Sequence, residues 1–167
     1  MTVTTQESTQ YANVYSTQPV VSNDTTEWHG RVRIAYFAHT QSGAGDATSS
    51  VALARLPAGR VRLLLVSSAL YVNWTTSSAT LDLGWDAHTD LDGDAVAADP
   101  NGLADGLDVD TAGYVTGATL AALAGLAATA GTRLFESKDG VVIRATSQDV
   151  ALANGDTLAG YLVYVQD

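Results

Sequence analysis

The chain has 167 residues and no cysteine, and its formal net charge is -10 because 18 Asp and Glu outweigh 8 Lys and Arg. This length indicates one domain with a core of its own, and the lack of cysteine excludes disulfides and thiolate metal sites. Clustered cations supply most of the affinity for phosphates, so the charge argues against binding nucleic acid or an anionic membrane. We expect neither a secretory leader nor a membrane-spanning segment.

Residues 1–28 differ in composition from the rest of the chain. They are rich in Thr, Ser and Gln, and they contain no Lys or Arg. Their hydrophobicity is too low to build a core, so they form either a disordered tail or an extended arm that orders against a neighbouring subunit. The number of Tyr and Val residues favours the arm, with these capsid or subunit contacts: Tyr11, Tyr15, Val20, Val21 and Trp28.

The body, residues 29–167, opens with an alternating segment over Arg31–Phe37. Val32, Ile34 and Tyr36 fall on one face and the arginines on the other. This period of two predicts a half-buried strand whose apolar face belongs to the core.

The next segments predict further strands. Ser50–Leu56 alternates, and the turn Pro57–Gly59 predicts a hairpin into the longest apolar run, Val61–Val72. The valines of that run and Ser67-Ser68 favour a strand buried on both faces and bulged at the serines over a buried helix. A strand after the turn Thr75–Ser78 directs alternate residues to the core: Leu81, Leu83 and Trp85.

The second half of the chain is predicted to be a long acidic surface loop followed by a helix and more strands. The loop is Asp86–Asp110, which lacks strand periodicity. Gly117–Ala130 has the spacing of a short helix, and a turn at Lys138–Gly140 separates two strands before the closing strand, Leu158–Val165. The predicted fold is mainly β: a jelly roll or β-sandwich of about seven or eight strands with one short helix and an extended N-terminal arm.

One acidic segment is a candidate metal site. Asp90, Asp92 and Asp94 resemble the opening of a calcium loop, because hard cations prefer clustered carboxylates. Ala95 and Asn101 stand where such a loop requires Gly and Glu. A solvated acidic loop is therefore the preferred interpretation, and we predict no cofactor.

Other candidate sites are weaker still. His29, His39 and His88 lack metal-ligand spacing, and no serine stands in a Gly-x-Ser-x-Gly elbow. Trp74 and Trp85 are assigned to the core rather than to a binding platform. We therefore expect no enzymatic activity.

Over roughly residues 30–167, the chain resembles small virion proteins of tailed bacteriophages of the capsid decoration, or cement, type. The likeness is one of overall pattern and not of a catalytic motif. It lies in these segments: Gly45–Ser50, Leu56–Arg62, Leu81–Trp85, Thr89–Gly93, Ala97–Asn101, Phe135–Gly140 and Gly160–Val165.

This resemblance implies a function and a location. Such proteins have a β-sandwich or jelly-roll body and commonly sit as trimers on the outer capsid surface. It therefore implies the major capsid protein and further copies of the chain as partners, and a place on the virion after synthesis in the host cytoplasm. Two alternatives stay open: another phage component, such as a head-fibre base, tail or receptor-binding module, or a carbohydrate-binding or hydrolytic jelly roll.

Overall fold

In a computed structural model that describes residues 7–74 and 76–167, two antiparallel sheets pack face to face. Strands account for 48% and helices for 13% of the structure, which confirms the predicted mainly β sandwich. Residues 1–6 of the arm and Thr75 of the predicted turn lie outside the described residues. Within those ranges, no helix is long and apolar enough to cross a membrane.

The described residues contain twelve strands and two α-helices, more strands than predicted. Two 3₁₀ turns accompany them, at Leu65–Ser67 and Leu126–Thr129. In chain order the elements are α1 (Thr9–Tyr15), β1 (Arg31–Thr40), β2 (Ser50–Leu56), β3 (Gly59–Leu64), β4 (Ala69–Asn73), β5 (Thr80–Trp85), β6 (His88–Thr89), β7 (Ala95–Val96), β8 (Asp99–Asp108), β9 (Gly113–Thr116), α2 (Gly117–Leu123), β10 (Thr132–Ser137), β11 (Val141–Ser147) and β12 (Thr157–Gln166).

The two large sheets contain six and four strands. The larger has the order β10-β3-β12-β4-β9, and β1 pairs along the whole length of β12. The smaller has the order β2-β11-β5-β8, and β6 and β7 form a separate ribbon. Across the described residues β1 pairs with β12 alone, so the other edge of β1 is open.

Both sheets contribute to one core. Fully burying a Leu or Ile side chain stabilises the fold by about 1.5–3 kcal/mol. Trp74 and Trp85 are buried, as predicted. The largest fully buried side chains from the two sheets include Leu56, Leu63, Leu81, Leu83, Leu103, Ile143, Leu158 and Leu162.

The predicted hairpin at Pro57–Gly59 is wrong. The turn connects the two sheets, because β2 belongs to the smaller sheet and β3 to the larger. Leu56 and Val61 on either side of it are both buried. A turn containing Pro and Gly between two alternating segments can join paired strands of one sheet or strands of two packed sheets. The sequence pattern is the same in both cases.

The long apolar run is also not one strand buried on both faces. It divides into β3 and β4 at the 3₁₀ turn Leu65–Ser67, and buried and half-buried residues alternate along both strands. The serines do interrupt the strand, as predicted, but by a short helical turn. Each half therefore packs one face on the core.

Ten residues of the predicted acidic loop form a strand. Within Asp86–Asp110, β8 pairs with β5 and buries Leu103, Ala104 and Leu107. The register between β5 and β8 shifts twice, so the buried residues of β8 do not alternate. These irregularities removed the period-two signal by which strands are recognised.

Asp82 of β5 lies under β8 and accepts hydrogen bonds from the backbone N–H of Gly106, at 2.8 Å, and from the amide of Gln148. We expect Asp82→Ala to lower the free energy of unfolding by about 1 kcal/mol, because both donors lose their acceptor. Urea denaturation measures this. Asp105→Ala is the matched control, since Asp105 is exposed; an equal loss in both variants would contradict the prediction.

The predicted short helix is present, but it ends well before the end of the segment Gly117–Ala130. Helix α2 ends at Leu123, and Gly125 follows with a φ of 66°, which favours glycine. Leu120 is buried, whereas Leu123 is exposed. The closing strand is present, but its burial does not alternate, because Leu162, Val163 and Val165 are all buried.

Candidate interaction surface

The described part of the N-terminal arm contains a helix in a segment for which an extended conformation is predicted. Helix α1 spans Thr9–Tyr15, and the side chain of Ser8 accepts a hydrogen bond from the backbone N–H of Tyr11 at 3.3 Å. Ser at this position satisfies one of the free N–H groups of the first turn, which stabilises a short helix.

The segment after α1 folds back onto the helix. The side-chain amide of Asn13 donates to Asn23 at 2.8 Å, and that of Asn23 donates to the carbonyl of Gln10 at 2.8 Å. The backbone N–H of Val21 donates to the carbonyl of Asn13 at 3.1 Å. The arm is therefore a small hydrogen-bonded unit.

Two arginines of β3 fix the root of this unit to the body. Arg62 pairs with Glu27 at 2.7 Å, and Arg60 pairs with Asp24. Burial raises the pKa of Asp24, but hydrogen bonds from Thr26 and the nearby arginines outweigh it and hold this pKa below its ordinary value. Asp24 is therefore ionised at neutral pH and pairs with Arg60 of β3.

The predicted contact residues lie at the surface of the arm. Helix α1 buries none of its residues, and the side chain of Tyr15 is 61% exposed. Trp28 is half-buried, with its ring edge-on to His29 at 5.4 Å. The other large exposed apolar residues of the arm are Tyr11, Val20 and Val21.

A second apolar surface, which we name the tyrosine face, lies on the outer side of the larger sheet. The burial predicted for Val32, Ile34 and Tyr36 is wrong: all three are exposed, Tyr36 by 77%. Strand β1 instead packs Phe37 on the core from its other side. The tyrosine face consists of Val32, Ile34, Tyr36, Tyr71, Tyr114 and Tyr161.

Strand pairing brings the four tyrosines together. Tyr36 of β1 stands opposite Tyr161 of β12, with ring centroids 5.8 Å apart, and Tyr71 of β4 stands opposite Tyr114 of β9, at 4.9 Å. The two pairs line a shallow groove of about 350 Å³. Tyr114 is 83% exposed, so this aromatic surface is available to a partner.

The strands of the tyrosine face lack the acidic residues that are common elsewhere in the chain. Its four strands, β1, β4, β9 and β12, contain no Asp or Glu, although the chain has 18 acidic residues. Sequence reasoning missed Tyr71 and Tyr114 as site residues. The sequence does contain a signal that could have identified them: the tyrosine-containing strands lack Asp and Glu.

A second concavity offers less to a ligand. It has a volume of about 220 Å³ and lies beside Trp85, His88 and Phe135. The guanidinium of Arg133 stacks on the Trp85 ring at 4.0 Å, and burial lowers the pKa of Arg133. The ring face is therefore occupied by the chain itself.

The candidate cation loop, residues 90–94, forms a turn between β6 and β7. The Asp90 carboxylate accepts hydrogen bonds from the backbone N–H groups of Asp94 and Gly93, both at 2.8 Å, and these bonds lower its pKa. Asp92 and Asp94 are exposed. In the part of the chain that the structure describes, no three His, Asp or Glu residues are placed to hold a metal ion.

No protein-family model and no curated protein matches the chain. Among solved structures, a chain of the capsid asymmetric unit of cyanophage Pam1 is similar, with a TM-score of 0.52 and 14% identity over 90% of this chain and 95% of that chain. The VP2 subviral particle of infectious bursal disease virus has a TM-score of 0.45 and 11% identity, covering 91% of this chain and 36% of that chain. The capsid of Helicobacter pylori bacteriophage KHP30 has a TM-score of 0.34 and 13% identity, covering 81% and 93%.

At 14% identity, the likeness to the Pam1 chain concerns the fold alone. It extends over nearly the whole length of both chains and agrees with the two-sheet architecture described above. The chain therefore has a β-sandwich fold similar to that of the Pam1 chain.

Proposed function

We propose that this chain is a structural virion protein of the capsid decoration type. In this role it binds the outer surface of the shell that the major capsid protein forms, and it stabilises that shell as a homotrimer. One observation carries the proposal: a β-sandwich with a capsid-related fold bears an arm whose apolar side chains are exposed and whose root is fixed to the body.

The distribution of surface chemistry supports this role. A decoration protein needs a stable body, a soluble outer face and apolar surfaces that bind neighbours. The net charge of -10 keeps most of the surface soluble and away from packaged nucleic acid. The arm and the tyrosine face expose uncharged aromatic side chains. Aromatic residues are enriched in the buried centres of protein interfaces.

A carbohydrate-binding module is the second candidate, because the four tyrosines form an exposed aromatic groove. The other groove residues are apolar: Phe37, Ala69, Leu70, Ala159 and Gly160. Sugar hydroxyls need several polar partners, and here the tyrosine hydroxyls are the polar side-chain groups lining the groove. A glycan array tests this candidate, and an array without binding removes it.

Removal of residues 1–23 tests the decoration role. This deletion keeps Asp24 and Glu27, which pair with Arg60 and Arg62, so we expect a folded body that no longer cosediments with purified shells lacking the protein. Circular dichroism checks folding. If the truncated protein decorates shells as fully as the intact chain, the arm is not the anchor.

The copy number in the particle separates decoration from the other virion roles. Quantitative mass spectrometry of purified virions should give copies in proportion to the major capsid protein. Cryo-electron microscopy of the same particles should place them at regular three-fold or quasi-three-fold positions on the outer shell. A few copies at the tail or at one vertex would instead identify a tail, fibre or receptor-binding component.

A further inference from the structure

We propose that the tyrosine face is the docking site for the arm of a second copy of this chain. This inference rests on the proposed function and deepens it, because it names the two surfaces that would hold the homotrimer together. The arm surface consists of Tyr11, Tyr15, Val20 and Val21, and it meets Tyr36, Tyr114 and their neighbours on the next copy.

Neither surface is covered by any residue within 7–74 or 76–167, the ranges that the structure describes. Tyr15 is 61% exposed on the arm, and Tyr36 and Tyr114 are 77% and 83% exposed on the sheet. The arm is held in its observed position by bonds to its own return segment and to β3. The described part of the arm, residues 7–28, therefore leaves the tyrosine face of its own chain free for an occupant from another molecule.

The root of the arm already packs on the same side of the larger sheet. A side chain at Gly30 would collide with the carbonyl of Thr25 and with Val165 of β12, so the root lies directly on that strand. Val165 is buried, whereas Val32 beside it in the register is exposed. The tyrosine face thus continues a surface to which an arm segment is already complementary.

Charge favours a second copy as the occupant. Residues 8–23 of the arm carry no charged side chain, and the strands of the tyrosine face carry no Asp or Glu. Two molecules with a net charge of -10 repel each other over most of their surfaces. The arm and the tyrosine face are regions where two copies approach without placing carboxylates opposite each other.

The contact has consequences for symmetry. Arm and face are different surfaces, and each copy has both, so the contact is heterologous. A heterologous contact repeated around a rotation axis closes into a ring. Three copies that each donate one arm and accept another would therefore satisfy every arm and every face.

Analytical ultracentrifugation of full-length variants without capsids tests this contact. The arm variant carries Tyr11→Asp and Tyr15→Asp, and the face variant carries Tyr36→Asp and Tyr114→Asp, each placing charge in the interface. Leu123→Asp is the control, because it places a carboxylate at an exposed apolar position of α2, outside both surfaces. Thermal melting checks folding, and Tyr→Ser pairs at the same positions replace any variant that does not fold.

We expect the unmodified chain and the control to sediment at three times the 17.3 kDa of one chain, and each double variant to sediment as a monomer. An equal mixture of the two variants should give a species of two chains, because the intact arm of one still binds the intact face of the other. A monomeric unmodified chain, or an arm variant that keeps the full mass, would overturn the inference.

Cosedimentation of the same proteins with shells separates this inference from the proposed function. Shell binding by a chain that never self-associates would overturn the arm–face contact and leave the decoration role standing. Self-association with no shell binding would leave the arm–face contact standing and would overturn the decoration role.

Discussion

Gly84→Ala is expected to lower the free energy of unfolding by about 3 kcal/mol or more, at the upper end of the range for overpacked sites. A Cβ atom at Gly84 would overlap the backbone carbonyls of Asp99 and Pro100, at the start of strand β8, which pairs with β5. A flexible side chain could move aside, but these are main-chain atoms of a paired strand. The variant must therefore separate β8 from β5 or shift the whole strand.

Gly113→Ala is the matched control for this prediction. Gly113 also lies in a strand, β9, but a Cβ atom there would have the carbonyl oxygen of Thr111 as its nearest neighbour, at an ordinary contact distance of 3.8 Å. Chemical denaturation of both variants gives the comparison. Similar stabilities for the two variants would mean that β8 does not pack on Gly84 as described.

Periodicity predicted the strands whose inner face is covered by the opposite sheet. Leu81, Leu83 and Trp85 alternate along β5, and all three are buried. For β5, a period of two identifies the core face directly. On β12 burial does not follow this period, because Leu162 lies in the core while Val165 on the opposite face is buried against the root of the arm.

The same rule failed for β1 because alternation defines two faces without stating which one is covered. Val32, Ile34 and Tyr36 share a face, as predicted, but β1 is an edge strand and packs Phe37 inward instead. An apolar face that stays exposed in one chain is the expected mark of an interface. The failed prediction and the proposed docking site are thus the same feature.

Composition singled out the Tyr and Val residues of the arm, but it did not identify the tyrosine face. Tyr71 and Tyr114 are far apart in the sequence, and only the pairing of β4 with β9 brings their rings within 4.9 Å. The helix of the arm was also missed. Its seven residues lack a strong helical pattern, and Ser8 together with the bonds to the return segment stabilises it.

Ser68→Ala is expected to cost about 2 kcal/mol of unfolding free energy, because it leaves a buried backbone group unsatisfied. The Ser68 hydroxyl donates to the carbonyl of Leu64 at 3.2 Å and accepts from the backbone N–H of Val163 at 3.0 Å. Val163 stands where β12 passes from pairing with β3 to pairing with β4, so it has no ladder partner on that side of the strand. The hydroxyl replaces the missing strand bond.

Ser67→Ala is the control, because the neighbouring serine is exposed and the same change there removes no buried hydrogen bond. Urea denaturation should place its stability within about 0.5 kcal/mol of the unmodified chain. Amide hydrogen exchange gives a second, local measurement: only the Ser68 variant should lose protection at Val163. Unchanged protection there would show that another group satisfies this N–H. The break between β3 and β4 would then depend on the 3₁₀ turn alone and not on the serine that follows it.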